Sequence, residues 1–471
     1  MHTSPGDTAA ARTVSTTKPT ERQLPIRRKV TYAFTDLSGN LLYCIISGYA
    51  LYYFTDVYGL SVTAAGTILL VARFFDAIGA PVWGMIIDHT HSRWGQSRPW
   101  FLWMGVPFVI LAWLLFTSPS FSDESARIWY AGVVYILADI AYMGMSTPIT
   151  AVLPNLTADS NERTVTNSFR MVGGNIGSFL AVTFILPVAS WIGGSNTSRS
   201  GWSTAVGIYA AVALILLTIA FADMRELNTG RARSISIRES FKAARGNWPW
   251  ILVVVGNIIF WVGLDIRATT LPYFFQYNIG HSTLTSVFNG VSIIQVLAMA
   301  AVPLIAKKLH KYGSTIFGFA LAALGQLGLA ISGGNVTLLM VSWCIACLGS
   351  GAACSLFFEM VGDTVDYGEW KNGLRASGFL TAVGSSFCIQ IGAGVGGFIP
   401  SLVMNAGGYV ADRTQTASAL SAIHFSFTWL PLIIFLIGII PMVLYRRFEM
   451  HEPVVREDLR MRAIEAEGSG A

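Results

Sequence analysis

Twelve long apolar segments, separated by short polar connections, leave this chain few ways to fold. A helix that crosses the hydrocarbon core of a bilayer needs about 20 mostly apolar residues. The segments lie near residues 30–53, 62–87, 99–117, 128–152, 168–190, 204–222, 249–274, 283–306, 314–332, 336–360, 377–403 and 424–445. We therefore predict an all-α polytopic membrane protein with twelve transmembrane helices, which we number as spans 1 to 12.

The composition agrees with burial in lipid. Hydrophobic residues make up 53% of the chain and charged residues only 12%, whereas a soluble globular chain carries about 25% charged residues. The twelve spans leave no stretch long enough for a catalytic domain, so we predict that the protein is not an enzyme. We expect a monomer without a cofactor.

Basic residues collect on one side of the predicted membrane: before span 1, between spans 6 and 7, and after span 12. The alternate loops hold only Arg127, Arg199 and Arg413. Cytoplasmic loops carry the excess of lysine and arginine, so this pattern predicts a multi-pass protein of the plasma (inner) membrane with both termini in the cytoplasm. The same bias explains the net charge of +5, so we expect a lipid bilayer, and no nucleic acid, as partner.

The longest basic connection divides the spans six and six. The predicted units are a cytoplasmic tail (1–28), an N-terminal six-helix bundle (29–223), a cytoplasmic linker (224–248), a C-terminal six-helix bundle (249–445) and a second cytoplasmic tail (446–471). The first tail and the segment after Glu449 are polar and lack a long apolar run. We therefore expect both to be disordered.

Four short motifs occur in the order found in a known transporter family. They are Tyr53-Phe-Thr-Asp-Val-Tyr-Gly-Leu60, Val71-Ala-Arg-Phe-Phe-Asp76, the loop DHTHSRWGQSRPW at Asp88–Trp100, and Asp366-Tyr-Gly-Glu-Trp-Lys371. Through them the chain resembles the glycoside–pentoside–hexuronide:cation symporters, the melibiose-carrier-like family of the major facilitator superfamily. The resemblance implies the fold of that superfamily, in which two six-helix bundles enclose a substrate site at their interface.

Span 2 carries two charges inside the predicted membrane, Arg73 and Asp76. Placing one charge at mid-bilayer costs roughly 2.5–3.5 kcal/mol. The two residues lie three apart on one helix face, so they form either a self-neutralising pair that helps insertion or a site for a cation or proton. The resembling family has a second carboxylate one turn further on, where this chain has Ala80.

The missing carboxylate bears on the coupling ion. A single carboxylate offers two oxygens to a sodium ion, which needs about six, so the sequence favours the proton over sodium. We assign cation coupling to Asp76, Arg73 and Asp36 of span 1. Asp36 could instead cap the end of its helix.

Polar side chains on spans 1, 4, 5 and 7 form the predicted substrate site. On span 4, spacings of three, four and four residues place four of them on one face: Asp139, Tyr142, Ser146 and Thr150. The resemblance implies sugar-binding roles at Asn40, Tyr142, Ser146 and Arg170, although Asn40 and Ser146 stand where the family has aspartates. We predict that six residues bind substrate: Asn40, Tyr142, Ser146, Arg170, Arg267 and Asp139. Arg170 could instead anchor its helix at the membrane interface.

Acidic and basic residues recur at equivalent places in 155–163, after span 4, and in 363–375, after span 10. We predict that the acids of span 10 pair with arginines of the N-terminal half across the cytoplasmic mouth when the site faces outward. The predicted gating residues are Arg163, Glu359, Asp363, Asp366 and Arg375.

These features predict a secondary active transporter that moves a small, polar, sugar-like solute together with a cation, by alternating access. Losing two family aspartates while keeping Arg170 and adding Arg267 makes the predicted cavity more positive, which favours an anionic solute such as a hexuronide or a sulfonated sugar. Asp139 and Asp265 could cancel that effect. An uncoupled carrier, or a carrier of an amphipathic, lipid-like solute, is the alternative.

Overall fold

The computed structural model describes residues 24–469 apart from 89, 91, 96, 157–159, 225, 227–243, 374–376 and 412. Within that part of the chain every regular element is a helix. Eight of the described helices are long and apolar enough to cross a membrane, and Val62–Arg73, Trp100–Leu115 and Thr283–Met299 are shorter apolar helices. With Ile26–Tyr52 these make twelve, which is consistent with the predicted number of spans.

Several spans are built from more than one helical segment. In chain order, spans 1 to 7 are Ile26–Tyr52, Val62–Asp88, Trp100–Trp103 with Gly105–Leu115, Glu124–Ala151, Ser160–Gly193, Arg199–Asp223 and Trp248–Tyr273. Spans 8 and 9 are Thr283–Val291 and the two parts of Ile294–Ile331, and spans 10 to 12 are Val336–Asn372, Ser377–Ala382 with Cys388–Ala406, and Ala417–Phe427 with Trp429–Glu449. The wider π-helical turns Tyr53–Val57, Phe274–Ile279 and Val383–Phe387 extend spans 1 and 7 and join the parts of span 11, and the short helix Leu153–Leu156 follows span 4.

The boundary between spans 8 and 9 is a kink rather than a loop. His310 lies inside the helical stretch Ile294–Ile331 with φ 59° and ψ 176°. Because this backbone conformation is costly for any residue with a Cβ, the direction of the chain changes sharply at one residue. The kink places Lys311 at the start of span 9.

The start of span 1 and the end of span 12 lie at the same face of the bundle, which we call the tail side. Near the start of span 1, the Leu24 amide donates to Glu162 Oε1 at 2.9 Å, and Thr31 Oγ1 donates to Asp223 Oδ2 at 2.9 Å. In the other half, the amide of Lys311 donates to Glu449 Oε1 at 2.6 Å. The opposite face, where spans 1 and 2 connect, is called the far side.

The chain after span 12 differs from the predicted disorder. It forms a helix, Glu452–Ser469, whose Val455 is buried. Trp370 Nε1 donates to Asp458 Oδ2 at 2.9 Å, and Arg462 Nη1 donates to the Trp370 carbonyl at 3.0 Å. The expectation of disorder was wrong for this segment, because one apolar side chain and two hydrogen bonds fix a mostly polar helix on span 10. Most of the predicted first tail and linker lies outside the described residues.

Spans 1 and 5 cross closely because span 5 carries glycines at the crossing. A Cβ on Gly173 would lie 2.3 Å from the Ala33 carbonyl oxygen, and a Cβ on Gly177 would lie 2.5 Å from that of Leu37. Small residues four apart let two membrane helices approach backbone to backbone. This contact fixes span 1 against span 5 within the N-terminal half.

Gly177→Ala should therefore lower the thermal stability of the purified protein. The added methyl group must push span 1 away from span 5, and overpacking of this kind costs about 1–3 kcal/mol. Thermal unfolding in detergent measures the effect. Gly48→Ala is the matched control, because a Cβ there meets Val182 at an ordinary 4.0 Å. Equal melting temperatures for the two variants would contradict the close crossing.

Candidate substrate cavity and buried charge cluster

A cavity of about 720 Å³ lies between spans 1, 4, 5 and 11. This volume is in the range of small-molecule binding sites. Its polar lining consists of Asp36, Asn40, Ser146, Thr147, Thr150, Arg170, Ser386 and Gln390, and its remaining lining consists of Tyr43, Tyr142, Met143, Phe379 and Ile389. The predicted residues Asn40, Tyr142, Ser146 and Arg170 therefore lie around one space.

The cavity occupies the tail side of the bundle. Spans 1, 5 and 11 begin at the tail side, and their lining residues lie in the first half of spans 5 and 11 and around the middle of span 1. Span 4 runs in the opposite direction, and its lining residues, up to Thr150, lie near its end. All four helices thus contribute their tail-side portions.

An ion pair crosses one wall of the cavity. Arg170 Nη1 donates to Asp36 Oδ2 at 2.8 Å, and Arg170 Nε donates to Asn167 Oδ1 at 2.9 Å. The Asn40 side chain donates to the Asp36 carbonyl at 2.9 Å. The structure thus places Asp36, which the sequence assigned to cation coupling, beside Arg170 in the cavity.

Two tyrosines form an aromatic wall. The rings of Tyr43 and Tyr142 stack with centroids 4.1 Å apart and planes 9° apart, and the Tyr43 hydroxyl donates to Gln390 Oε1 of span 11 at 3.0 Å. Sequence reasoning missed Tyr43 and Gln390. For Tyr43 a signal existed, since it follows Asp36 and Asn40 at helical spacing on one face.

Next to the cavity lies a buried charge cluster, formed by Arg73, Asp76 and Asp139. Their side chains are 2%, 1% and 1% exposed. Arg73 Nη1 donates to Asp76 Oδ2 at 2.8 Å and lies 3.8 Å from Asp139 Oδ2. Spans 2 and 4 thus bring one cation and two carboxylates together.

The same guanidinium connects the cluster to the cavity. Arg73 Nη1 also donates to the Tyr43 hydroxyl at 3.0 Å and to Gln390 Oε1 at 3.1 Å, and Nη2 donates to the Tyr135 hydroxyl at 3.0 Å. Tyr43 and Gln390 line the cavity, and Gln390 belongs to the C-terminal half. Arg73 therefore contacts both halves and both sites.

Two residues that the sequence assigned to substrate binding lie elsewhere. Asp139 is in the charge cluster, away from the cavity lining. Arg267 is 3% exposed, its guanidinium carbon lies 4.7 Å from the ring centroid of Trp343, and it does not line the cavity. Both residues thus lie apart from the other predicted substrate residues in this conformation, because helical spacing gives the face of a residue but not the neighbour that the face meets. Their roles in substrate binding stay predictions.

Two acids of span 10, Glu359 and Asp363, pair with a lysine of their own half. Lys311 Nζ lies 2.6 Å from Asp363 Oδ2 and 3.3 Å from Glu359 Oε1. Asp366 lies one turn beyond Asp363 on the same helix. The side chain of Arg163 and all of Arg375 lie outside the described residues. The predicted pairing with N-terminal arginines concerns an outward-facing state and remains a prediction.

The far side is closed by hydrogen bonds between the halves. Buried Asp56, at the end of span 1, accepts from the hydroxyls of Tyr277 and, at 2.7 Å, Tyr409. Thr55 bonds to the Tyr273 hydroxyl at 2.8 Å, and Asn289 donates to that of Tyr49 at 2.8 Å. We call these contacts the far-side latch. Sequence reasoning used the motif around Asp56 for the resemblance alone.

Comparison with known proteins identifies the family. The model for "MFS/sugar transport protein" matches residues 31–447. The chain belongs to this family. It is 38% identical over 449 residues to the isoprimeverose transporter of Lactiplantibacillus pentosus, covering 94% of this chain and 93% of that protein. It is 28% identical over 418 residues to a putative sulfoquinovose importer of Escherichia coli (strain K12), covering 87% and 88%.

Solved structures agree on the fold. A bacterial homologue of the human lysosomal transporter Spinster superposes with a TM-score of 0.68 at 14% identity, over 92% of this chain and 99% of that one. The resemblance seen in the sequence motifs is thus confirmed. The protein is a multi-pass membrane transporter of the major facilitator fold and not an enzyme.

Tyr409→Phe should weaken the far-side latch. A hydrogen bond to a charged group contributes about 1.5–3 kcal/mol, so its loss should raise the fraction of molecules open at the far side by about tenfold or more. The measurement is the labelling rate of Ser386→Cys by an impermeant thiol reagent added from the far side, in a background without the native cysteines.

Tyr58→Phe is the control for this experiment. The Tyr58 hydroxyl is buried near the same face and makes no hydrogen bond to the described residues. Its removal should leave the labelling rate unchanged. If both variants label as slowly as the parent protein, Asp56 and Tyr409 do not hold the far side closed.

Proposed function

We propose that this chain is a proton-coupled symporter that carries a sugar-like solute across the plasma membrane by alternating access. The observation that carries the proposal is the continuity between two sites. Arg73 bonds at once to Asp76 in the buried cluster and to Tyr43 and Gln390 in the cavity wall. A change of charge in the cluster therefore acts directly on groups that face the solute.

The charge bias supports an orientation. Lysine and arginine are concentrated in the tails and the central connection, and cytoplasmic loops carry that excess. We infer that both termini are cytoplasmic and that the tail side faces the cytoplasm. The cavity then faces inward in this conformation, with the far-side latch closing the route to the exterior.

The cavity chemistry suits a sugar. Pyranose rings present apolar C–H faces, which pack on aromatic rings such as Tyr142, and hydroxyls, which need partners that both donate and accept, such as Asn40 and Gln390. The names of the two relatives, an isoprimeverose transporter and a putative sulfoquinovose importer, support the same class of solute. We therefore infer a glycoside or pentoside as the cargo.

The charge of the cavity favours a neutral sugar. Among the described lining residues the charged ones are Arg170 and Asp36, and they form an ion pair. The sequence-based expectation of an anionic solute depended on a second arginine, Arg267, which lies away from the cavity. With one paired arginine, a hexuronide or sulfonated sugar must break the Arg170–Asp36 contact, whereas a neutral sugar can bond to both groups.

Neutral sugars should therefore bind more tightly than their anionic counterparts. Competition against a bound radiolabelled ligand compares isoprimeverose, a hexuronate and a sulfonated sugar on the purified protein. Arg170→Gln should weaken the binding of isoprimeverose by about tenfold, since a hydrogen bond to a charged group contributes about 1.5–3 kcal/mol. Arg267→Gln is the control and should leave the order of the three sugars unchanged. Tighter binding of either anion would contradict the neutral cavity.

The geometry around Asp76 supports the proton as coupling ion. A guanidinium donor already lies 2.8 Å from Asp76 Oδ2, and a metal cation brought to the same carboxylate would be repelled by this charge at close range. A proton adds to a single oxygen and needs no shell of ligands. The pair thus suits proton binding better than sodium binding.

Uptake into proteoliposomes should respond to a pH gradient and be indifferent to a sodium gradient. With one proton per solute, each unit of pH gradient sustains about tenfold accumulation. Asp76→Asn should abolish accumulation yet retain exchange of labelled for unlabelled solute. Strong stimulation by sodium would contradict the proposal, and exchange without accumulation in the wild type would identify an uncoupled carrier instead.

A further inference from the structure

The buried cluster contains more negative than positive charge. Arg73 supplies one positive charge, and Asp76 and Asp139 supply two negative charges when both are ionised. All three side chains are at most 2% exposed. An unbalanced charge inside a membrane protein is costly, and the described surroundings add no second cation.

The carboxylates that carry the excess negative charge also have unused hydrogen-bond acceptors. Both oxygens of Asp139 and Oδ1 of Asp76 are buried and accept no hydrogen bond from the described residues. The Nη groups of Arg73 donate to Asp76, Tyr43, Tyr135 and Gln390, and its buried Nε donates to none of the described residues. A buried acceptor without a donor costs about 1–3 kcal/mol. One added proton supplies both a donor for these carboxylate oxygens and one positive charge.

We propose that Asp76 and Asp139 form a carboxylate pair that binds the transported proton, Asp139 being the second carboxylate that span 2 lacks at Ala80. The inference rests on the proposed proton coupling and adds the residue that completes the site. A single proton on one carboxylate makes that carboxyl group neutral and turns it into a hydrogen-bond donor. The positive charge of Arg73 then balances the one carboxylate that remains ionised. Both carboxylates face the same nitrogen of Arg73, Nη1, at 2.8 Å for Asp76 and 3.8 Å for Asp139, which brings them together around one guanidinium.

Other polar groups also face Arg73. The hydroxyls of Tyr43 and Tyr135 accept hydrogen bonds from it, and Asp265 of span 7 acts on it electrostatically from the C-terminal half. Asp265 differs from Asp139 because no ion-pair contact with Arg73 is found for it among the described residues. It is therefore the natural control.

Proton release gives the pair a mechanical role. When the proton leaves for the cytoplasm, Asp139 becomes a second anion 3.8 Å from Arg73 Nη1. In the structure the same nitrogen also donates to Gln390 Oε1 of the C-terminal half at 3.1 Å. Attraction toward Asp139 withdraws it from Gln390 and weakens a contact between the two halves.

The test compares Asp139→Asn with Asp265→Asn in proteoliposomes. Solute accumulation driven by one unit of pH gradient should fall from about tenfold to about onefold in Asp139→Asn, while exchange at equal pH continues, which shows that the variant is folded. Asp265→Asn should still accumulate solute. Asp139→Glu, which restores a carboxylate, should recover part of the accumulation.

The outcomes distinguish the proposed Asp76–Asp139 proton site from the proposal of proton coupling. If solute uptake by the wild type does not respond to the pH gradient, both proposals are overturned. A response that persists in Asp139→Asn, or is lost in Asp265→Asn alone, overturns the pair and leaves proton coupling intact. If Asp139→Asn cannot be purified, infrared spectroscopy of the wild type decides: a protonated carboxyl C=O band that titrates supports the pair, and its absence at all accessible pH values overturns it.

Discussion

The rest of this transporter depends on the contacts that the buried guanidinium of Arg73 makes with its neighbours. Isolated in lipid such a charge is expensive, and here it is offset by Asp76 and by hydroxyl and amide oxygens from spans 1, 4 and 11. Because these partners come from both halves, the chain cannot satisfy this one side chain without assembling the interface. The same requirement places the candidate cavity directly beside the charge cluster.

The sequence was most informative where a single helix decides the outcome. The lengths of the apolar runs predicted the helical spans, and four of the predicted substrate residues, Asn40, Tyr142, Ser146 and Arg170, line one cavity. Their roles in substrate binding stay predictions. The pairing of residues from different spans was less accessible. Asp36 and Arg170 are 134 positions apart, and neither hydropathy nor spacing within a helix indicates which distant charge a residue will meet.

The differences between expectation and structure have the same origin. Arg267 and Asp139 were assigned to the cavity because they are polar groups in the membrane, yet Arg267 packs on Trp343 and Asp139 faces Arg73. The helix after span 12 was missed because its composition is polar, and its order comes from Trp370 on another helix. In each case the deciding contact lies far away in the chain.

The composition of the far-side latch has a consequence for the environments in which the carrier can work. Its contacts include the hydrogen bonds that two tyrosine hydroxyls donate to one buried carboxylate, Asp56. Dissolved salt weakens attraction between exposed opposite charges but has little effect on short, buried contacts. These hydrogen bonds should therefore hold equally well in dilute and in concentrated media, so that the ionic strength at the far side does not set their strength.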